Sequence, residues 1–353
     1  MDRLRVSFSA LRADAVLVSH LPNIHYLCGF TGSAALLLVE PTKSTLFTDS
    51  RYTFQAKAEV RGARVQIARK GLVGAVGAAL RARRGRVRVA YAPGQLSMVQ
   101  KNALVRESGT QVRWTDGANL VEKLRAVKSP SEIATIREAA KLISEVFVGL
   151  VPKIRLGSTE LGLAAEIDYA IKLNGAEGPS FETIVASGPH SAWAHARPSP
   201  RLLGKNELVV FDQGAILRGY CSDMTRTVFL GRPPAKVREM YQAVLEAQQA
   251  AKAAIKPGLT AGAVDRAARR VLRGYGLDRY FTHSTGHGLG LEVHEMPRLG
   301  QGEKAVLEEG MVLTVEPGVY MEGLGGIRIE DDVLVTASGA EDLTTAPRQL
   351  LEL

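Results

Sequence analysis

The segment VFDQGAILRGYCSDMTRT places two carboxylates, Asp212 and Asp223, eleven residues apart in an apolar, strand-like stretch. Read as a β-hairpin, it turns near Ile216 to Gly219. With the centre between Leu217 and Arg218, Asp212 stands directly opposite Asp223. Period-two alternation then puts Val210, Asp212 and Gly214 on one face with Cys221, Asp223 and Thr225. Two carboxylates about 4 Å apart repel by roughly 1 kcal/mol in water and about 4 kcal/mol at an effective dielectric near 20. A shared proton, a basic partner or a metal cation must offset that repulsion.

A second acidic pair and a histidine cluster favour the cation. In MVLTVEPGVYMEGLGGIRIEDDVLV, Glu316 and Glu330 are symmetric about Gly323, so two strands folded there bring them face to face. Pro317 weakens that ladder because it offers no donor, and Arg328 shares the face of Glu330. Between the two pairs lies THSTGHGLGLEVHEMP, with His283, His287 and His294, three of the chain's seven histidines. Four carboxylates and one imidazole suffice to hold two divalent ions about 3.5–4 Å apart. The mixed oxygen and nitrogen set suits Mn²⁺, Co²⁺ or Zn²⁺ better than Ca²⁺.

The elements that must position these residues fall into two parts. In the first, AVLVSH (15–20), AALLLVE (34–40), STLFT (44–48), RVQIA (64–68) and RVAYA (88–92) read as buried strands. RYTFQAKAEV (51–60) and LVGAVGAALRAR (72–83) read as helices between them, which predicts an α/β layer structure. NIHYLCGFTGSAA (23–35) reads as a loop reaching outward. A boundary falls near 120–130, dividing the chain into domains 1–123 and 124–353. Ser129 is placed to cap a helix that Pro130 and Glu132 open. In the second part, helices 131–151 and 159–174 precede a β-rich stretch ending near 230. Helices 234–255 and 261–274 precede another, 281–336. This doubled order predicts an α+β domain with pseudo-twofold symmetry and a site where the halves meet.

Bulk properties limit the alternatives. At 353 residues, 46% hydrophobic and 23% charged, the composition is that of an ordinary soluble globular protein. No run approaches the roughly 18 apolar residues of a membrane span, and the start lacks the apolar core of a signal peptide. Two cysteines, Cys28 and Cys221, argue for a reducing cytoplasm. The net charge of +9 raises a nucleic-acid reading. The basic residues are dispersed, however, and RARRGRVR (81–88) sits in no nucleic-acid motif, so a solvated basic surface is the expectation.

The segments FDQGAILRGYCSDMTRT, THSTGHGLGLEVHE, LTVEPGVY and IRIEDDVLV, in this order, resemble the metal-dependent peptidases of pita-bread fold, which include methionine aminopeptidase, aminopeptidase P and prolidase. NIHYLCGFTGS and TDSRY are similar to phrases of the N-terminal domain that the proline-specific members carry, so the resemblance covers nearly the whole chain. It implies five metal ligands, Asp212, Asp223, His287, Glu316 and Glu330, holding two divalent ions, Mn²⁺ first and Zn²⁺ or Co²⁺ as alternatives. It also implies that Glu316 shuttles a proton and that His195 and His294 contact the substrate. His190 is the less favoured alternative to His195. His283, Arg328 and Tyr320 are implied as supports of the site.

The implied activity is hydrolysis of Xaa-Pro peptide bonds. Arg298, four residues past His294, suits the free carboxylate of an Xaa-Pro dipeptide through paired hydrogen bonds. That favours prolidase over an aminopeptidase acting on longer Xaa-Pro peptides. The resemblance further implies a homodimer, with residues 23–35 of a second subunit limiting substrate length. Metal-free amidino hydrolysis on the same fold would require loss of the ligands, which are all present. An inactive binding module has only the basic charge in its favour.

Overall fold

The structure, a computed structural model, describes residues 1–353. The chain divides into two compact units, Met1–Arg125 and Ala126–Leu353. No helix is long and apolar enough to cross a membrane.

The first unit is a six-stranded mixed sheet. Its strands are β1 (Ala15–Val18), β2 (Ala35–Val39), β3 (Ser44–Thr48), β4 (Arg64–Ile67), β5 (Val87–Tyr91) and β6 (Val112–Asp116), in the order β4-β3-β2-β1-β5-β6. Alternation sends Val16, Val18, Leu37 and Val39 into one core and Ala15, Leu17, Leu36 and Leu38 into another. Both faces of the central strands are covered, so β1 and β2 read as unbroken apolar runs. The segment 23–35 is not the outward loop expected. Its start belongs to helix Leu21–Cys28, which buries Ile24 and Leu27 and ends where Gly29 takes a φ of 79°. Eight residues are too few to show a helical period beside small neighbours. Helix Met98–Ser108, β6 and helix Leu120–Ala126, which packs Val121 on the core, follow. The first of these helices opens on a reciprocal cap between Ser97 and Gln100.

The second unit repeats a helix pair followed by strands. Helices Pro130–Leu150 and Glu160–Leu173 precede β7 (Gly178–Pro179), β8 (Ile184–Ser187), β9 (Glu207–Gln213), β10 (Ala215–Leu217), β11 (Tyr220–Cys221) and β12 (Met224–Leu230). Helices Ala235–Ala253 and Ala261–Gly274 precede β13 (Gly286–Gly288), β14 (Glu295–Leu299), β15 (Val312–Val315), β16 (Gly318–Met321), β17 (Gly325–Arg328), β18 (Asp331–Thr336), β19 (Gly339–Asp342) and β20 (Leu351–Glu352). The long first helix is opened by Ser129: its hydroxyl accepts from the Glu132 N–H, and the Glu132 carboxylate accepts from the Ser129 N–H.

Burial assigns the strand faces. Val209 and Phe211 of β9 pack with Ile143, Phe147, Ile167 and Ile171 of the first helix pair. Leu313, Val315, Val333 and Val335 of β15 and β18 pack with Val244, Ala247, Val264 and Ala268 of the second. Each such valine, leucine, isoleucine or phenylalanine contributes about 1.5–3 kcal/mol when fully buried. The intervening residues turn the other way, which gathers Asp212, Thr314, Glu316, Glu330 and Asp332 on inward faces. A one-residue slip would exchange the two sets, so the apolar faces fix where the acids point.

Candidate metal centre

The first acidic hairpin turns at Arg218 and Gly219, with φ of 49° and 80°, flanked by the pair Leu217 and Tyr220. Two consecutive left-handed residues make the turn that suits the strands' twist. The turn centre therefore lies one residue later than the sequence suggested. Asp212 is opposite Thr225, not Asp223. The correction moves the partner by two positions, which preserves the face. Asp223 follows the short strand β11 and lies diagonal to Asp212.

The second pair is held differently. In the β15–β18 ladder Val315 faces Asp331, and in the β16–β17 ribbon Gly318 faces Arg328. Both registers centre on Gly323. Glu316 and Glu330 oppose each other in the gap between them, where Pro317 interrupts the pairing.

Five side chains converge. His287 Nε2 lies 3.4 Å from Glu316 Oε1 and 3.8 Å from Asp223 Oδ2. Its Nδ1 donates to the Gly288 carbonyl at 3.0 Å, which leaves Nε2 with a lone pair. Potential ligand atoms of Asp223, His287 and Glu330 lie within 4.8 Å of one another. Thr225 Oγ1 donates to Glu330 Oε2 at 2.6 Å, and Asp332 Oδ2 accepts from the Asp223 N–H at 3.0 Å. Buried oxygens Asp212 Oδ1, Asp223 Oδ1 and Glu330 Oε1 have no hydrogen-bond partner. An imidazole lone pair facing carboxylates, with three orphaned acceptor oxygens beside it, is an arrangement that a bound cation would satisfy. The residues present therefore fit divalent metal ions.

Electrostatics agree. Burial, then the neighbouring Glu330 and Asp212, push the Asp223 carboxyl well above its ordinary range. Burial, with Glu316 and Asp212, does the same to Glu330. Burial raises Glu316 to about 7, although Arg328 opposes the rise. His287 is lowered to about 4 by burial and by His294, so its imidazole is neutral at neutral pH.

Arg328 is a buried cation whose side chain reaches the cluster's carboxylates. Its Nη2 donates to Asp212 Oδ2 at 2.6 Å, its Nε to Thr225 Oγ1 at 3.0 Å, and its Nη1 to Tyr320 OH at 2.6 Å and to the Ala194 carbonyl at 3.3 Å. Burial works against its charge, but Tyr320, Asp212, Glu330 and Glu316 outweigh burial and hold it protonated. Tyr320 OH in turn lies 2.9 Å from His283 Nε2. Because His283 Nδ1 donates to the Ser284 carbonyl, Nε2 accepts from the tyrosine. Burial, helped by Arg328, lowers His283 to about 4.

The remaining named residues lie around this cluster. The His294 ring is 4.3 Å from that of His287. His195 is exposed, in the irregular segment after the turn Gly188–Ala192, near enough to act electrostatically on His283 and His294. His190 is held apart, its Nδ1 on Glu160 and its ring stacked on Trp193. Arg298 is exposed on β14, opposite His287, so it leaves the sheet on the face His287 uses. Thr225, Thr314 and Asp332 had no role in the sequence reading. Thr225 stood in the same hairpin face as the aspartates, and Asp332 lies two residues past Glu330; their period-two spacing was the available signal.

A pita-bread fold whose two halves bring acidic strands and one imidazole together defines a metal-dependent hydrolase. Comparison with known proteins makes this specific. Residues 134–337 match Metallopeptidase family M24, and residues 1–127 match the Creatinase/Prolidase N-terminal domain. The chain belongs to metallopeptidase family M24. It is 36% identical to the Xaa-Pro dipeptidase of Pyrococcus horikoshii over 340 residues, which is 96% of this chain and 94% of that protein. Among solved structures it resembles an Xaa-Pro dipeptidase from Bacillus anthracis, with a TM-score of 0.95 and 36% identity, over 100% of this chain and 98% of that one. It also resembles an X-Pro aminopeptidase from Thermotoga maritima, with a TM-score of 0.90 and 36% identity, over 99% and 100% of the two chains.

Proposed function

We propose that this metallopeptidase is an Xaa-Pro dipeptidase that works with two divalent ions, Mn²⁺ in the first place, with Zn²⁺ or Co²⁺ able to substitute. The observation that carries the reading is the cluster of Asp212, Asp223, His287, Glu316 and Glu330 with its three orphaned oxygens. These five residues would hold the ions. When bound, such ions polarise a scissile carbonyl and acidify water.

The chain's own groups do the rest. Glu316 is the proton carrier: its carboxylate takes a proton from water and passes it to the departing proline nitrogen, which has no N–H of its own. His195 and His294 donate to the substrate carbonyl oxygen as negative charge develops there. Arg328 fixes Asp212 and, through Tyr320, the orientation of His283. Arg298, on the His287 face, receives the free carboxylate of the dipeptide. A homodimer and a cytoplasmic location belong to the same reading; both cysteines are free and buried.

The second reading is an Xaa-Pro aminopeptidase, favoured by the equal identity to the Thermotoga enzyme. One assay separates them: turnover of an Xaa-Pro dipeptide against an Xaa-Pro tripeptide and a longer peptide, at equal metal loading. Preference for the dipeptide is expected. Efficient cleavage of the longer substrates would replace this reading with the second, and no turnover of any of them under any divalent ion would remove both.

A further inference from the structure

Glu160, the first residue of helix Glu160–Leu173, holds no metal ion and moves no proton in the reading above. Its carboxylate is nevertheless wholly buried and accepts from both ends of the segment that bears His195. Oε1 accepts from the Ser187 N–H at 2.8 Å and its hydroxyl at 2.7 Å. Oε2 accepts from the Ser199 N–H at 3.1 Å and its hydroxyl at 2.6 Å. His190 Nδ1 lies 3.1 Å from both oxygens. Burial would raise the carboxyl, but the donors from Ser199, Ser187 and His190 outweigh it and leave the group below its ordinary value. Glu160 is thus an ionised acceptor with every lone pair engaged.

What it closes is a loop without regular structure, held beside His195 by the buried Ala196, which packs with Ala186 and Val210 and donates its N–H to the Trp193 carbonyl at 3.2 Å. After the turn Gly188–Ala192, residues 193–199 belong to no helix or strand. His195 is exposed and makes no hydrogen bond within the chain. Two further anchors lie between the ends: Ser191 Oγ accepts from the Gly326 N–H at 3.0 Å, and the Ala194 carbonyl accepts from Arg328. Glu160 fastens the ends, and β17 fastens the middle. The His195 ring can then be presented at one place only through its backbone.

We propose that Glu160 is a positioning residue for the hydrolysis: it clamps residues 187–199 so that the His195 imidazole meets the substrate carbonyl. The inference rests on the role given to His195 above. Glutamine cannot replace the clamp. Its amide keeps one acceptor oxygen and must point an NH₂ at either the Ser187 or the Ser199 N–H, both of them donors.

The test is a double-mutant cycle of Glu160→Gln and His195→Ala in the full-length, metal-loaded enzyme, with kcat, KM and metal content measured on an Xaa-Pro dipeptide. A misplacement near 1 Å costs up to about 100-fold, so Glu160→Gln is expected to lower kcat/KM by roughly 10- to 100-fold, with metal content unchanged. In the His195→Ala background the same change is expected to cost less than about twofold, because coupled residues are not additive. If Glu160→Gln does not fold, Ser199→Ala removes one anchor and should show a smaller loss with the same non-additivity. Losses that multiply, or a Glu160→Gln enzyme at the wild-type rate beside an impaired His195→Ala enzyme, overturn the clamp alone. A His195→Ala enzyme at the wild-type rate overturns the role of His195 and the clamp with it.

Discussion

Arg328 reaches Asp212 across 116 residues of chain, its Nη2 donating to Asp212 Oδ2 at 2.6 Å. The same guanidinium bonds Thr225, which bonds Glu330. One cation thus ties an acid from each half of the pseudo-symmetric domain. Removing one partner of a buried ion pair costs about 3–5 kcal/mol, because the other charge is left uncompensated. Arg328→Met is expected to destabilise the metal-free protein by about that amount and to be partly rescued by Mn²⁺. Urea unfolding with chelator and with Mn²⁺ measures both; a variant as stable as wild type in chelator would contradict this.

Asp223 has the opposite balance. Its carboxyl is buried among like charges, and one of its oxygens has no donor. Asp223→Asn is therefore expected to leave the metal-free protein at least as stable as wild type while abolishing its response to metal. At an ion concentration 100-fold above Kd, wild type should gain about 2.7 kcal/mol and the variant close to none. Thermal unfolding and metal content check the two halves of the prediction. A variant that loses stability in chelator yet still binds metal would show that Asp223 is structural.

The metal-free protein should lose stability as the solution becomes more alkaline. Glu316 titrates near 7 when folded, against an ordinary 4.5, so the folded state holds its proton more tightly. That contribution is whole below pH 4.5 and disappears as pH rises through 7. Asp223 and Glu330 shift in the same direction. His283 and His287 act with the opposite sign, but only between about 4 and their ordinary 6.5. Between pH 6.5 and about 8, stability in chelator should fall, and Mn²⁺ should restore it while releasing protons. Melting curves across that window, with calorimetry in buffers of different ionisation enthalpy, decide it. A rise in chelator would be the wrong sign.

Arg298 separates the two substrate readings at the level of one residue. Hydrogen bonds to charged groups contribute about 1.5–3 kcal/mol, so Arg298→Ala should raise KM for an Xaa-Pro dipeptide by roughly 10- to 100-fold. KM for a tripeptide, whose carboxylate lies one residue further on, should change little. Equal changes for both substrates would remove the carboxylate role.

Much of the site was legible in the sequence because its geometry is local to two hairpins. Symmetry about Gly323 gives the Glu316–Glu330 register, because ladders on both sides keep the same centre. The first hairpin's centre lies one residue later than its sequence symmetry suggests: Gly219, free of a Cβ, marks the second positive-φ position, whereas nothing in the type of Arg218 announces the first. The faces survived the error, since a shift of two partners preserves parity. Helix Leu21–Cys28 was obscured by its brevity, and helix Met98–Ser108 by its mixed polarity, although the Ser97–Gln100 cap was there to be read. Glu160 could not have been found. Its partners Ser187, His190 and Ser199 are 27 to 39 residues away, and no period relates them.

The ladder of β15 with β18 and the ribbon of β16 with β17 meet at the opposed glutamates with one common register. Chain inserted at the tip, between Met321 and Gly325, falls beyond the last pair and leaves both ladders aligned. Chain inserted between Val315 and Gly318, or between Arg328 and Asp331, would break that alignment at Glu316 and Glu330. A change in length is thus expected to be tolerated at the tip and not beside the glutamates. There the loop is free to diverge, or to accept a grafted sequence, with no change in how the opposed glutamates are held.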